Sequence, residues 1–425
     1  MPQAKTNAYS GDMVARKLDN GVTLTLERLP YLHSATAGVW VRTGSANERK
    51  SQCGISHFLE HLFFKGTASR TARQITEAIE SKGGHLNAFT AREYTCVYAR
   101  TLDQHVGTGI EILADIIKNS TFQDLDRERN VILEEIAAIE DVPEDYSHDL
   151  LARCMWPNHP LGRSVSGELA TVSKISVDDV RAYYDGWYRP RNVYFSIAGN
   201  FDPDAIVDQV YGEFSALVPR ALRKRYRPPQ FQPGIEVVER DVAQNHICAG
   251  FRAPAVTDPR RYAYDLLCCA LGGGSTSRLF QRIREDEGLA YAVYSFPSAY
   301  LNAGALNVYA AVAPENLERT VALSFEEIRR LRDESLAPDE LEVNREQLKG
   351  NMLMSLEGTF TRMSRMAKSM MYYNRLLSID EVIAGLDAVT VDDVQALARE
   401  MFRPDSCAMV VLGPAKDAPM QEIPL

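Results

Sequence analysis

Nowhere does the chain approach the roughly 18 consecutive apolar residues that a membrane-spanning helix requires. Its first residues, Met1 to Asn20, are polar and mixed in charge where a secretory signal would have an apolar core. A membrane protein is therefore not expected, and the expected location is the cytoplasm. Cysteine is scarce and scattered: Cys53, Cys96, Cys154, Cys248, Cys268, Cys269 and Cys407, an odd number with no CxxC spacing. That indicates neither a disulfide framework nor a thiolate zinc site, and suggests a reducing compartment. Basic residues are in deficit, 47 against 57 acidic, for a formal charge of −10. Such a balance argues against nucleic acid as the main partner and leans toward cationic ligands, although it also simply keeps a protein soluble. With 45% hydrophobic and 24% charged residues, neither disorder nor a fibrous chain is indicated. At 425 residues the chain is too long for one core and implies roughly two to four folding units.

What the chain does have is an internal repeat. Val177-Asp178-Asp179-Val180-Arg181-Ala182 returns as Val391-Asp392-Asp393-Val394-Gln395-Ala396, and Arg189-Pro190 returns as Arg403-Pro404, both 214 residues later. Val97-Tyr98-Ala99 answers to Val308-Tyr309-Ala310 at a shift of 211. Each half runs from an alternating strand through helices, including a long charged one, to a helix that leads through Arg-Pro into an apolar strand, 192–198 or 406–412. Between the halves, 216–234 carries Pro219, Pro228, Pro229 and Pro233 among arginines, a composition that breaks helix and sheet alike. The expectation is two homologous α+β domains, 1–215 and 236–425, joined by a linker at 216–235.

The chemistry concentrates in Ile55 to Lys65, read as a helix. His57 and His61 stand at i and i+4, so both imidazoles leave one face about a turn apart, as one divalent ion needs. Glu60 flanks them, in reach of a metal-bound water. Phe58, Leu59, Leu62 and Phe63 cover the other faces and would bury the helix. A second helix, Asp126 to Ile139, carries Glu128 and Glu135 seven apart on one face. A catalytic zinc takes three protein ligands and an open position, and His-His-Glu is a standard set. Glu135 would complete it, with Glu128 behind, orienting a histidine or the water. The plain alternatives are core histidines and a solvated acidic helix face.

His57-Phe58-Leu59-Glu60-His61 is the inverted HxxEH pattern of the inverzincins. With Gly54-Ile55-Ser56 before it, Phe63 to Thr67 after it, Gly83 to Thr90 and Glu93-Tyr94-Thr95, the sequence resembles the pitrilysin/insulinase family of zinc metallopeptidases. These segments resemble the subfamily of the mitochondrial processing peptidase β subunit and its bacterial relatives. That family takes its third ligand from a later helix. Here 73 residues separate His61 from Glu135, slightly fewer than in the family, so Glu134 stands beside Glu135 as the alternative. Glu128 matches the family's supporting glutamate. In the second half, Leu271 to Phe280, LGGGSTSRLF, leads to Arg284 and, seven residues on, Tyr291. This resembles the motif of the family's inactive half, in which such an arginine and tyrosine reach the substrate. The glycine-rich run lacks the lysine of a phosphate loop, and residues 236–425 contain no second HxxEH. The plain alternatives are an Arg284 paired with a nearby acid and a Tyr291 that fills a core strand.

The resemblance implies a two-domain clamshell, one zinc ion per chain, a peptide substrate, and a homodimer or a heterodimer with a homologous subunit. Glu60 would act as general base on zinc-bound water. Asn87, Ala88, Phe89 and Thr90 read as an exposed edge strand on which an extended peptide can pair; an ordinary sheet strand is the alternative. The expected activity is endopeptidase cleavage of peptides or extended segments, with basic, presequence-like ones favoured by the negative charge. The competing reading is a non-catalytic, peptide-holding subunit of the same family, although His57, Glu60, His61 and Glu135 are all present. A hydrolase acting on something other than peptides is a third.

Overall fold

A computed structural model describes residues 13–218, 227–414 and 422–425. Strands β1 (Met13–Lys17), β2 (Thr23–Arg28), β3 (Ser34–Val41), β4 (His85–Thr90), β5 (Thr95–Leu102) and β6 (Val193–Gly199) form one sheet in the order β1-β2-β6-β3-β5-β4. Strands β7 (Gly234–Glu239), β8 (Asn245–Ala253), β9 (Ala290–Ala299), β10 (Gly304–Val312) and β11 (Cys407–Gly413) form another in the order β7-β11-β8-β10-β9. Without β1, the first sheet repeats the second strand for strand. The one parallel pair of each falls at the same place, β2 with β6 and β7 with β11. The helix Val177–Trp187 and β6 reappear as the helix Val391–Met401 and β11, shifted by 214 residues. The chain thus folds as two α+β units.

The central strands are apolar without alternation: β6 (VYFSIAG) and β11 (CAMVVLG) are buried along their whole length. A strand reads that way only when both faces of its sheet are covered. In the first unit one face packs the helices Ile55–Phe63 and Val106–Asn119 into a large core through Val39, Val41, Val97, Phe195 and Ile197. On the other face Trp40, Cys96 and Tyr194 meet Met363, Met366 and Met371 of the helix Thr359–Tyr373. That helix is encoded in the second half of the chain. Conversely, the helix Pro143–Met155, encoded in the first half, packs on β7, β8 and β11.

The compact units are accordingly Met1–Ile136 with Ser164–Arg225 and Leu353–Val382, and Ala137–Arg163 with Tyr226–Met352 and Ile383–Leu425. They cross the contiguous 1–215 and 236–425 division, because helical periodicity shows which face is apolar but not which sheet receives it. Both exchanged helices come so close that a methionine lies over a strand glycine. A Cβ on Gly38 would meet Met363 Sδ at 2.9 Å, and one on Gly250 would meet Met155 Sδ at 2.5 Å. Of the expected linker, 219–226 lie outside the described residues; 216–218 and 227–233 contain neither helix nor strand. Among the described residues no helix is long and apolar enough to cross a membrane.

Candidate metal centre

The HxxEH helix spans Ile55–Phe63 and is buried on three sides by Ile55, Phe58, Leu59, Leu62 and Phe63, so its position is set by the core. Its N-cap, Gly54, has φ of +93°, and a Cβ there would lie 2.8 Å from Gly167 Cα and from Ser166 O. Only glycine enters this backbone region freely. Gly54→Ala is expected to cost at least about 1–3 kcal/mol, read as a lowered urea midpoint of the unit that holds the helix; an unchanged midpoint would contradict the tight start.

The second helix, Leu125–Asp141, brings Glu135 against both histidines. Glu135 Oε1 lies 3.5 Å from His57 Nε2, and Glu135 Oε2 lies 3.4 Å from His61 Nε2. One donor atom from each of the three residues falls within 4.8 Å of the others. A tetrahedral ion with bonds of 2.0–2.2 Å sets neighbouring donors about 3.3–3.6 Å apart; the two Glu135–histidine distances fall in that range, and His-His-Glu is a donor set that zinc takes. Glu134, one residue round the helix, is exposed.

Burial and neighbouring charge shift the three groups differently. Burial depresses the His57 imidazole to about 4, against the pull of Glu135, so it is neutral. For His61 burial also lowers the pKa, but the hydrogen bond to Glu135 and the neighbouring carboxylates outweigh it and raise the net value. Glu135 is held below the usual carboxylate range, first by its hydrogen bond with His61.

Glu128 is 3% exposed; its Oε2 is 3.3 Å from His61 Nδ1 and its Oε1 is 2.7 Å from Lys65 Nζ. Glu60 stands beside the three donors, and its Oε2 accepts a 2.5 Å hydrogen bond from Thr90 Oγ1. Burial raises its pKa, opposed by that hydrogen bond. Thr90 ends β4, which pairs with β5 alone and forms the edge of its sheet beside the HxxEH helix. Asn87 and Phe89 point to one face of β4, Ala88 and Thr90 to the other.

Arg284 and Tyr291 lie in the second unit and meet each other. The guanidinium sits 4.4 Å above the Tyr291 ring, Nη1 donates to Tyr291 O at 2.8 Å, and Phe280 lies under the same guanidinium at 4.8 Å. Arg284 comes from a π-helical turn, Phe280–Asp286, and Tyr291, 81% exposed, from edge strand β9. Tyr291 therefore fills no core, and Arg284 Nε also forms an ion pair with Glu285 at 3.8 Å.

Sequence reasoning did not single out Lys65 as the partner of Glu128, Thr90 as the partner of Glu60, or Glu48 at the start of the HxxEH helix. Only Lys65 left a signal, one helical turn beyond His61.

Comparison with known proteins agrees with this layout. Residues 23–168 match the family model described as "Insulinase (Peptidase family M16)", and residues 174–348 match "Peptidase M16 inactive domain". The chain is 38% identical over 402 residues to the Bacillus subtilis "Uncharacterized zinc protease YmxG", covering 94% of this chain and 98% of the relative. To a Streptomyces coelicolor protein of the same description it is 39% identical over 412 residues, covering 94% and 89%. A protease from Helicobacter pylori shares the fold with a TM-score of 0.88 at 22% identity, covering 96% of this chain and all of that one. A chain of complex III2 from Candida albicans does so at 0.84 and 17%, covering 95% and 96%. Relatives of this closeness, aligned almost end to end, leave no ambiguity of kinship: the chain belongs to the insulinase family, peptidase family M16.

Proposed function

We propose that the chain is a zinc-dependent endopeptidase that hydrolyses peptides or extended polypeptide segments. The observation that carries this reading is the convergence of His57, His61 and Glu135 with Glu60 alongside. His57, His61 and Glu135 would hold the zinc ion. When bound, zinc supplies Lewis acidity toward water and the peptide carbonyl. Thr90 ties down Oε2 of Glu60, which leaves Oε1 to take a proton from the attacking water and return it to the leaving amine. Glu128, balanced by Lys65, orients the His61 ring. An extended substrate pairs with the free edge of β4 through backbone hydrogen bonds at Asn87 to Thr90, which supply affinity without demanding sequence. Arg284 and Tyr291 are further substrate-binding residues. The net charge of −10 favours basic segments. The partner is a homologous subunit, identical or not. Seven cysteines, all free, support a reducing, cytoplasmic setting.

The test is zinc content per chain and cleavage of a mixed peptide library, before and after chelation. One zinc per chain, with cleavage lost on chelation and restored by zinc, is the expected result. Absence of bound metal would overturn the reading. Zinc bound with no cleavage would favour the peptide-holding subunit instead.

A further inference from the structure

The two histidines are held differently. His61 has Glu128 on its Nδ1, whereas His57 Nδ1 is buried without a hydrogen-bond partner among the described residues. Apart from Glu135 on its Nε2, the His57 ring is therefore placed by the backbone of the first helical turn, where His57 is the third residue. That turn is weak by itself. The helix has nine residues, its first N–H groups have no partners within it, and its N-cap is a glycine with no side chain to offer.

The missing acceptors come from Glu48. Glu48 is 4% exposed; its Oε2 accepts from Gly54 N and its Oε1 from Ser56 N, each at 2.8 Å. A carboxylate also opposes the positive end of the helix dipole. Ser56 Oγ is 2.8 Å from Tyr183 OH, which is 2.8 Å from Thr43 Oγ1. The segment that carries Glu48 is in turn stitched to the residues just past β4. Ser45 N donates to Ala91 O at 3.3 Å, and Ala46 N donates to Arg92 O at 2.7 Å. One buried carboxylate thus joins the start of the HxxEH helix to the hairpin that presents the edge strand.

We infer that Glu48 is a positioning residue of the metal centre: by clamping Gly54 N and Ser56 N it fixes the first turn, and with it His57, in the ligating geometry before metal arrives. This rests on the zinc-site reading given above. Without the clamp, the first turn frays and ordering His57 becomes a cost of metal binding.

The test uses the full chain as wild type, Glu48→Asp and Glu48→Gln. Zinc affinity is measured by competition with a chromogenic chelator, alongside melting temperature and peptide cleavage at limiting and saturating zinc. Glu48→Gln, which turns an amide donor toward an N–H donor, is expected to weaken zinc binding about 10–100-fold. Glu48→Asp, too short to reach both amides, falls in between. Cleavage by Glu48→Gln, low at limiting zinc, recovers as zinc is raised. A merely structural role would lower the melting temperature and leave the affinity of the folded chains alone, so equal zinc affinity in all three overturns the proposal. Should Glu48→Gln fail to fold, Glu48→Asp decides, and wild-type affinity in it is the overturning result. A wild type that binds no zinc would remove the site reading itself, a separate outcome from equal affinities.

Discussion

Glu60→Gln is expected to bind zinc as the wild type does and to lose turnover by about 10²–10⁴-fold, the usual worth of a positioned general base. The glutamine keeps the side chain's length and can still accept from Thr90 Oγ1, but its amide nitrogen carries no lone pair for a proton. Substrate pairing on β4 does not involve Glu60, so KM should move little and the loss should appear in kcat. Titration with chelator and steady-state kinetics on one cleavable peptide separate the two quantities. Residual activity within tenfold of wild type would show that another group carries the proton, and loss of zinc in the variant would show that Glu60 helps to hold the ion.

The second large effect concerns the exchanged helix. Arg362, on Thr359–Tyr373, pairs through Nη1 with Glu27 of β2, and the two side chains are 11% and 3% exposed. Removing one partner of a buried pair leaves the other charged in an apolar layer, a loss of about 3–5 kcal/mol. Arg362→Met is expected to destabilise the first unit by that amount in urea unfolding, with hydrogen exchange accelerating first along 359–373 and 23–28. The double variant Glu27→Leu/Arg362→Met should regain most of the loss, since no unpaired charge then remains. A loss below about 1 kcal/mol for the single change would place the pair with exposed ion pairs, which contribute little.

Much of the metal centre was legible because its information is local. Four residues of helical spacing bring His57 and His61 to one face, and seven bring Glu128 and Glu135 to another, wherever those helices go. The choice between Glu134 and Glu135 was less accessible: it turns on a rotation of one residue, and it is Glu135 that faces the histidines once Ile132 and Ile136 enter the core. The repeat revealed the duplication, and the strand order repeats between the sheets. What sequence withheld depends on the path of the chain. Glu48 lies among charged, exposed-looking neighbours in SANERKSQ, and nothing in that composition marks the one carboxylate that turns inward. The exchange of Pro143–Met155 and Thr359–Tyr373 is invisible for a related reason. Both helices have apolar faces that suit either sheet, and which sheet takes them is decided by loops that carry no period.

That exchange also bears on descent. A single-unit ancestor, half as long, would have encoded a sheet together with a helix that in the present chain covers the other sheet. Folded alone, with its helix placed as now, it would have left one side of its central strands bare, a surface that invites a second copy to close it. Two copies trading helices satisfy both at once. Duplication and fusion of such a reciprocal pair would join as one polypeptide two units that already borrowed each other's helix, and would free one half to lose its metal ligands while the other kept them.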